Sequence, residues 1–248
     1  MNGEIWLLPK GLTLEPYRLV FENESIWRGY YNTIIYTAIG TLINIIMTVL
    51  AAYPLSRKDL PGYQFIMIII VFTMFFNGGL IPLYLLVRDL GMANTMWALI
   101  IPSAISTYNL IIMRTFFHST IPNAIQESAF MDGCSNTRLL LNIVLPLSKP
   151  ILAVMVLFYA VAHWNAYFAA LIYLRDRELY PLQLILREIL IQNQTNEITI
   201  EAGIAEKLLI GESMKYAVII VSSIPVLVLY PFIQKYFVKG VMIGSIKG

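Results

Sequence analysis

The chain has 248 residues, of which 58% are hydrophobic and 13% charged, with a formal net charge of +2. A soluble domain carries roughly 25% charged residues, so this composition excludes one, and so small a net charge argues against a nucleic-acid partner. Cys134 is the only cysteine, which excludes an intrachain disulfide and a thiolate metal cluster; no phosphate-binding lysine loop, nucleophile elbow or His-Glu-x-x-His helix is present.

Residues 1–29 are polar, with Pro9, Gly11, Pro16 and several acids, and read as a loop or surface segment. Trp6 and Trp27 fit a membrane interface, where amphipathic rings are favoured, or ordinary packing. Beyond them lie five segments apolar and long enough to cross a hydrocarbon core, which takes about 20 residues. They run near 31–55, 64–87, 97–117, 150–173 and 214–234. None has an Asp or Glu at its centre. A carboxylate there costs at least about 2.5 kcal/mol and marks an ion path, so a proton- or sodium-coupled carrier is disfavoured. The expected fold is all-α, a polytopic helical bundle.

The second segment is interrupted by Asn77-Gly78-Gly79 and Pro82. Such a break is a kinked structural helix, or an unwound cavity wall that meets a polar solute. Tyr84 follows it. The third segment carries Pro102, Ser103, Ser106, Tyr108 and Asn109, residues that serve helix packing more often than binding.

The polar stretch 118–149 reads as two short helices with a turn between them. Pro122 suits a first helical position, with Ser119 or Thr120 near to cap. Ala124, Ser128 and Ala129 are small residues on adjoining turns, where another surface can approach closely. Gly133 permits the left-handed turn that stops a helix. Ser135 can cap the second helix, whose Leu139, Ile143 and Leu147 share a face; Pro146 and Pro150 end it.

The fourth segment reaches His163-Trp164-Asn165 roughly 20 Å beyond Pro150, past the midplane of a core about 30 Å thick. Tyr159, His163 and Tyr167 fall four apart on one face. An aromatic and amide face at that depth suits a sugar, whose apolar ring stacks and whose hydroxyls meet amides. Equally, Trp164 and Asn165 can hold the bundle together. The candidate solute path comprises Asn77, Tyr84, Tyr108, Asn109, Tyr159, His163, Trp164, Asn165 and Tyr167. His163 has no second metal ligand at useful spacing. In the excursion 174–213, Leu182, Ile185, Leu186, Ile189 and Leu190 make the stripe of a surface helix. The polar run 192–197 follows it, then a second short helix over 201–210. The tail 235–248 is basic and glycine-punctuated.

Three motifs in order resemble one family. Glu127-Ser128-Ala129, Gly133, Ile143 and Leu145-Pro146 are similar to the EAA loop of ABC-importer permeases. Asp132-Gly133 and Pro150 match the longer carbohydrate-type form. Ser128 and Cys134 stand where that loop usually has Ala, and both are small. Trp164-Asn165 resembles the Trp-Asn pair of maltose-type carbohydrate permeases. Gln234-Lys235-Tyr236-Phe237, Lys239-Gly240 and Lys247-Gly248 resemble their C-terminal signature. Leu55-Ser56-Arg57-Lys58 and Asn77-Gly78-Gly79-Leu80-Ile81-Pro82 look like a branch handling complex or acidic oligosaccharides.

The resemblance implies the type I ABC importer permease fold and a transport subunit that is not an enzyme. It implies a multi-pass protein of a bacterial-type inner membrane, moving an oligosaccharide inward by alternating access. The implied partners are a second permease, two ATPase subunits that hold ATP and Mg, and an extracytoplasmic solute-binding protein; no cofactor is expected on this chain. Ala124, Glu127, Ser128, Ala129, Asp132, Gly133, Leu145 and Pro146 would form the ATPase-coupling site. With that loop inside, 1–29 and 174–213 are extracytoplasmic and 235–248 cytoplasmic. By basic residues alone the two sides are nearly tied, 8 against 9 Lys and Arg, so the orientation rests on the resemblance. The family usually has a further span before the first one seen here; either that helix is missing from this chain or the numbering begins inside a longer protein. A secondary transporter or channel subunit is the alternative; it would want an intramembrane charge or an inverted repeat.

Overall fold

The computed structural model describes residues 14–57, 59–198, 213–225 and 227–228. Among them every regular element is helical. The N-terminal region departs from the loop expected over 1–29. Pro16 sits in the first turn of α1 (Glu15–Glu22), which buries Val20, because the fixed φ of proline suits a helix start. Asn23 then caps α2 (Glu24–Ser56) by accepting the Ser25 N–H at 3.0 Å. With 33 residues, α2 is ~50 Å long. Among the described residues it alone is long and apolar enough to cross a membrane unaided.

The second predicted segment is two helices, α3 (Tyr63–Phe75) and α4 (Leu80–Asp89), that meet at 108°. Asn77 accepts the Gly79 N–H at 3.0 Å, and Gly79 has φ 85° and ψ 172°, a conformation essentially open to glycine alone. In the third, α5 (Trp97–Ile100) tightens into a 3₁₀ turn at Ile101–Ser103 around Pro102. Next comes α6 (Thr107–Thr120), after a bend of 49°. The polar stretch forms α7 (Asn123–Met131), α8 (Asn136–Leu139), a π-helical turn at Leu140–Val144 and α9 (Leu145–Leu147). At 83° to these, α10 (Lys149–Trp164) sets off through the bundle.

The fourth segment, expected over 150–173, is not one helix: α10 stops at Trp164. Asn165 turns its amide back onto the Val161 carbonyl at 2.9 Å, a local bond that competes with continued helix. A short α11 (Phe168–Tyr173) follows, then α12 (Leu182–Ile198) and α13 (Ser213–Pro225). The expected stripe of α12 is real: Leu182, Ile185 and Leu186 are buried against Val20, Ile26, Trp164, Ala217 and Val218. The polar run 192–197 continues that helix. The second short helix expected over 201–210, Trp6 and the tail 235–248 lie outside the described residues.

One face of α2 holds these pieces together. A Cβ on Gly29 would stand 2.6 Å from the Ile185 side chain, and one on Gly40 would stand 2.5 Å from the His163 ring. The absence of side chains there is what lets α12 and α10 approach. Polar groups alternate with the glycines. Asn32 donates to the Glu178 and Tyr180 carbonyls at 2.7 and 3.1 Å, and Tyr36 donates to the Leu179 carbonyl at 3.0 Å. The Leu182 N–H donates to Thr33 at 2.8 Å. Asn44 meets the His163 Nε2 at 2.6 Å and donates to the Ser103 carbonyl at 2.6 Å. Thr48 meets the Tyr159 hydroxyl at 2.7 Å, which also accepts the Ser106 N–H at 3.3 Å. Ser103 and Ser106 flank the break before α6, so α2 and α10 supply partners for backbone groups that the bend frees. Interhelical hydrogen bonds in membranes are worth about 0.6 kcal/mol on average, and the strength of this seam lies in its number of bonds.

Gly40→Ala pushes the His163 ring off Asn44. We expect a stability loss of about 1–3 kcal/mol, read as a lower thermal midpoint in detergent. His163→Ala in the same chain removes the clash, so the double variant loses much less than the two single losses added. Strictly additive losses would contradict the clasp.

Candidate functional site

At the end where α2 finishes, α7 divides into two faces. Ala129 turns inward and joins Met113, Phe117, Leu139 and Val144 in the core. Ala124, Glu127, Ser128 and Met131 turn outward, and Met131 is 88% exposed. Their spacing puts them on one stripe. Ala129 therefore supplies close packing under the helix, and the exposed small residues are Ala124 and Ser128. Gly133 closes α7 at φ 73°. Its N–H donates to Phe130 and that of Cys134 to Ala129, at 3.0 and 2.9 Å, the paired bonds of a Schellman stop. Asp132 is exposed beside it. Pro122 stands one residue earlier than expected, at the cap of α7, with no side-chain cap.

Ser135 caps α8 by accepting the Arg138 N–H at 3.4 Å. Pro146, expected to end the second helix, lies within it. A proline clashes with the carbonyl four residues back, and the π-helical turn at Leu140–Val144 widens the ladder there, with the Leu145 N–H reaching back to Leu140. Leu145 is half-buried and Pro146 exposed.

This hairpin is tied to α2 through Arg57. The Arg57 guanidinium lies 4.9 Å above the Phe130 ring, donates to Asn136, and pairs with Asp59 at 2.5 Å. Those hydrogen bonds hold the Asp59 carboxyl below its ordinary range. On the other side, α6 caps the carbonyl end of α2: Arg114 donates to the Leu55 carbonyl at 3.1 Å, and the His118 Nδ1 meets the Ser56 carbonyl at 3.0 Å. A cation at a helix C-terminus complements its dipole.

The residues of the candidate solute path separate into two groups. Tyr159, Trp164 and Asn109 are buried, and His163 is half-buried in the α2 seam. Trp164 packs beside Tyr30, ring centroids 6.3 Å apart. Asn77, Tyr108, Asn165 and Tyr167 are exposed. Tyr84 is half-buried and stacks on Tyr173 at 5.9 Å. The α2 seam itself was not anticipated. Its signal is the recurrence of Gly29, Thr33, Tyr36, Gly40, Asn44 and Thr48 at steps of four, three, four, four and four, which averaged hydropathy hides.

Comparison with known proteins adds to this geometry. The family model described as binding-protein-dependent transport system inner membrane component matches residues 25–243. The Bacillus subtilis (strain 168) polygalacturonan/rhamnogalacturonan transport system permease protein YtcP is 43% identical, covering 98% of this chain and 84% of that protein. Protein LplC of the same organism is 41% identical, over 98% of this chain and 82% of LplC. Among solved structures, a bacterial ABC transporter involved in the import of the acidic polysaccharide alginate has a chain with a TM-score of 0.84 and 36% identity. That match covers 95% of this chain and 84% of the other. The chain is a member of the family of binding-protein-dependent transport system inner membrane components, a permease subunit of an ABC importer and not an enzyme.

Proposed function

We propose that this permease pairs with a second permease and with two ATPase subunits, and that the outward stripe of α7 docks in a groove of one ATPase. The observation that carries the reading is the stripe itself. Ala124, Glu127, Ser128 and Met131 are exposed on a helix whose other face is locked to the bundle through Ala129. Glu127 and Asp132 supply charge, and Leu145 and Pro146 form the rim nearest the bundle. ATP and Mg belong to the partner ATPases, and a solute-binding protein delivers an oligosaccharide from the other side. The α7 end is cytoplasmic in this arrangement, and the α12 end is extracytoplasmic.

For the solute path, the exposed Asn77, Tyr108, Asn165 and Tyr167, with the half-buried Tyr84, form the wall that meets sugar. Tyr159, His163, Trp164 and Asn109 stand behind it as the frame. The 108° turn at Asn77–Gly79 supports this reading, because irregular backbone at membrane depth is tolerated where it lines a wet cavity or is buried in protein.

The coupling reading is tested in proteoliposomes that contain the whole importer. Gly133→Val puts a β-branched residue at φ 73°, which disrupts the stop of α7. We expect transport and sugar-stimulated ATP hydrolysis to fall tenfold or more, with membrane insertion intact. Wild-type uptake and stimulation would count against the docking.

The path reading predicts a different signature. Asn165→Ala should raise the sugar concentration needed for half-maximal uptake, while ATP hydrolysis stays coupled to the loaded binding protein. Unchanged uptake in both Asn165→Ala and Tyr108→Ala would remove these residues from the path.

Sidedness is checked with single cysteines in a Cys134→Ser background. A thiol at Met131 should react with an impermeant reagent only from the cytoplasmic side, and one at Arg177 only from the outside. The reverse pattern overturns the topology.

A further inference from the structure

At the corner where α10 ends, one cation has no carboxylate partner among the described residues. Arg187 projects from the first half of α12 and is half-buried. Its guanidinium carbon lies 5.9 Å from the centroid of the Tyr167 ring. Two other arginines at this end are paired: Arg28 with Glu178 at 2.9 Å, and Arg177 with Glu188 at 3.1 Å. Glu188, the next residue along α12, is thus held by Arg177. Among the described residues no carboxylate pairs with Arg187.

An arginine in this setting has a defined chemical appetite. Its planar fork of N–H donors matches a carboxylate bidentately, and stacking on an aromatic ring orients the fork without consuming its donors. Tyr167 is 43% exposed and stands in a non-helical conformation, φ −124° and ψ −33°, between α10 and α11. Part of its surface is therefore open to the apolar face of a sugar ring. Asn165, two residues earlier, is exposed and uses its amide N–H on the Val161 carbonyl. That leaves the amide oxygen as an acceptor for a hydroxyl. A carboxylate fork, an aromatic face and a hydroxyl acceptor meet at one break in the chain. Neutral sugars need the last two of these, and the fork adds a requirement for an acid.

We infer that Arg187, Tyr167 and Asn165 form a subsite for a uronate unit of the transported oligosaccharide, with Arg187 taking the carboxylate. The inference rests on the proposed reading of this chain as an oligosaccharide permease and narrows it to acidic sugars. Arg187 is the specificity-determining residue, and Tyr167 positions it.

The test uses the complete importer in proteoliposomes made from uncharged lipid, with its binding protein supplied at saturation. Initial uptake is measured for a pool of uronate trisaccharides and for the same pool with every carboxyl reduced to the alcohol. Wild type should favour the acidic pool. Arg187→Gln should lower the ratio of acidic to neutral uptake about tenfold, and Arg187→Lys should recover part of it by keeping the charge without the fork. An equal fall for both pools assigns Arg187 a structural role and overturns the subsite. A ratio unmoved in uncharged lipid but sensitive to the variant in anionic lipid assigns it to a lipid headgroup and also overturns it. Wild-type preference for the neutral pool overturns the acidic class and leaves the importer reading standing; uptake of neither pool overturns both.

Discussion

The bundle depends on close approach along α2. Two glycines, Gly29 and Gly40, remove the Cβ atoms that would keep Ile185 and the His163 ring away. Once the backbones are near, Asn32, Thr33, Tyr36, Asn44 and Thr48 reach groups on four other segments. In lipid there is no hydrophobic force to drive one apolar helix against another, so packing and hydrogen bonds must do it. The seam supplies both on the same stripe. It also explains how short and broken helices persist at membrane depth. The breaks at Ser103–Ser106 and beyond Trp164 have their backbone or side-chain partners on α2 and α10.

This arrangement gives a physical route between the two ends of the molecule. The outward stripe of α7 is joined to α2 through Arg57, Phe130 and Asn136, and α6 grips the same helix end through Arg114 and His118. From there α2 runs unbroken to the seam that holds α10 and α12. The corner with Asn165, Tyr167 and Arg187 sits at the far end of that seam. A displacement imposed on α7 thus bears on a continuous helix whose other end frames the proposed solute wall. The π-helical turn at Leu140–Val144 is the irregular element in this relay, since it admits Pro146 without ending the helix.

Local chemistry was legible in the sequence, and three-dimensional pairing was not. Gly133 and Ser135 act through their own backbone geometry or hydroxyl, so their roles as stop and cap could be read from type and position. The apolar segments were likewise plain, because length and composition alone define them. Pro146 misled, because a π-helical turn depends on spacing several residues upstream. Asn77-Gly78-Gly79 announced a break but not its angle. Tyr159 and His163 were placed on one face of one helix. Their partners Thr48 and Asn44 lie on another helix, and a period of four does not say whether a polar face meets solute or a neighbour. Ala129 was grouped with Ala124 and Ser128 for its size, and only burial separates them.

The central claim is that α7 transmits force through one defined stripe, and a cysteine scan across that helix tests it most directly. Single cysteines at 123–131, in a Cys134→Ser background, would be cross-linked with a short bifunctional reagent to the ATPase in the assembled importer. The account predicts maxima at positions 124, 127, 128 and 131 and a minimum at 129, the helical period of the exposed face. Uniform cross-linking, or a maximum at 129, would contradict it.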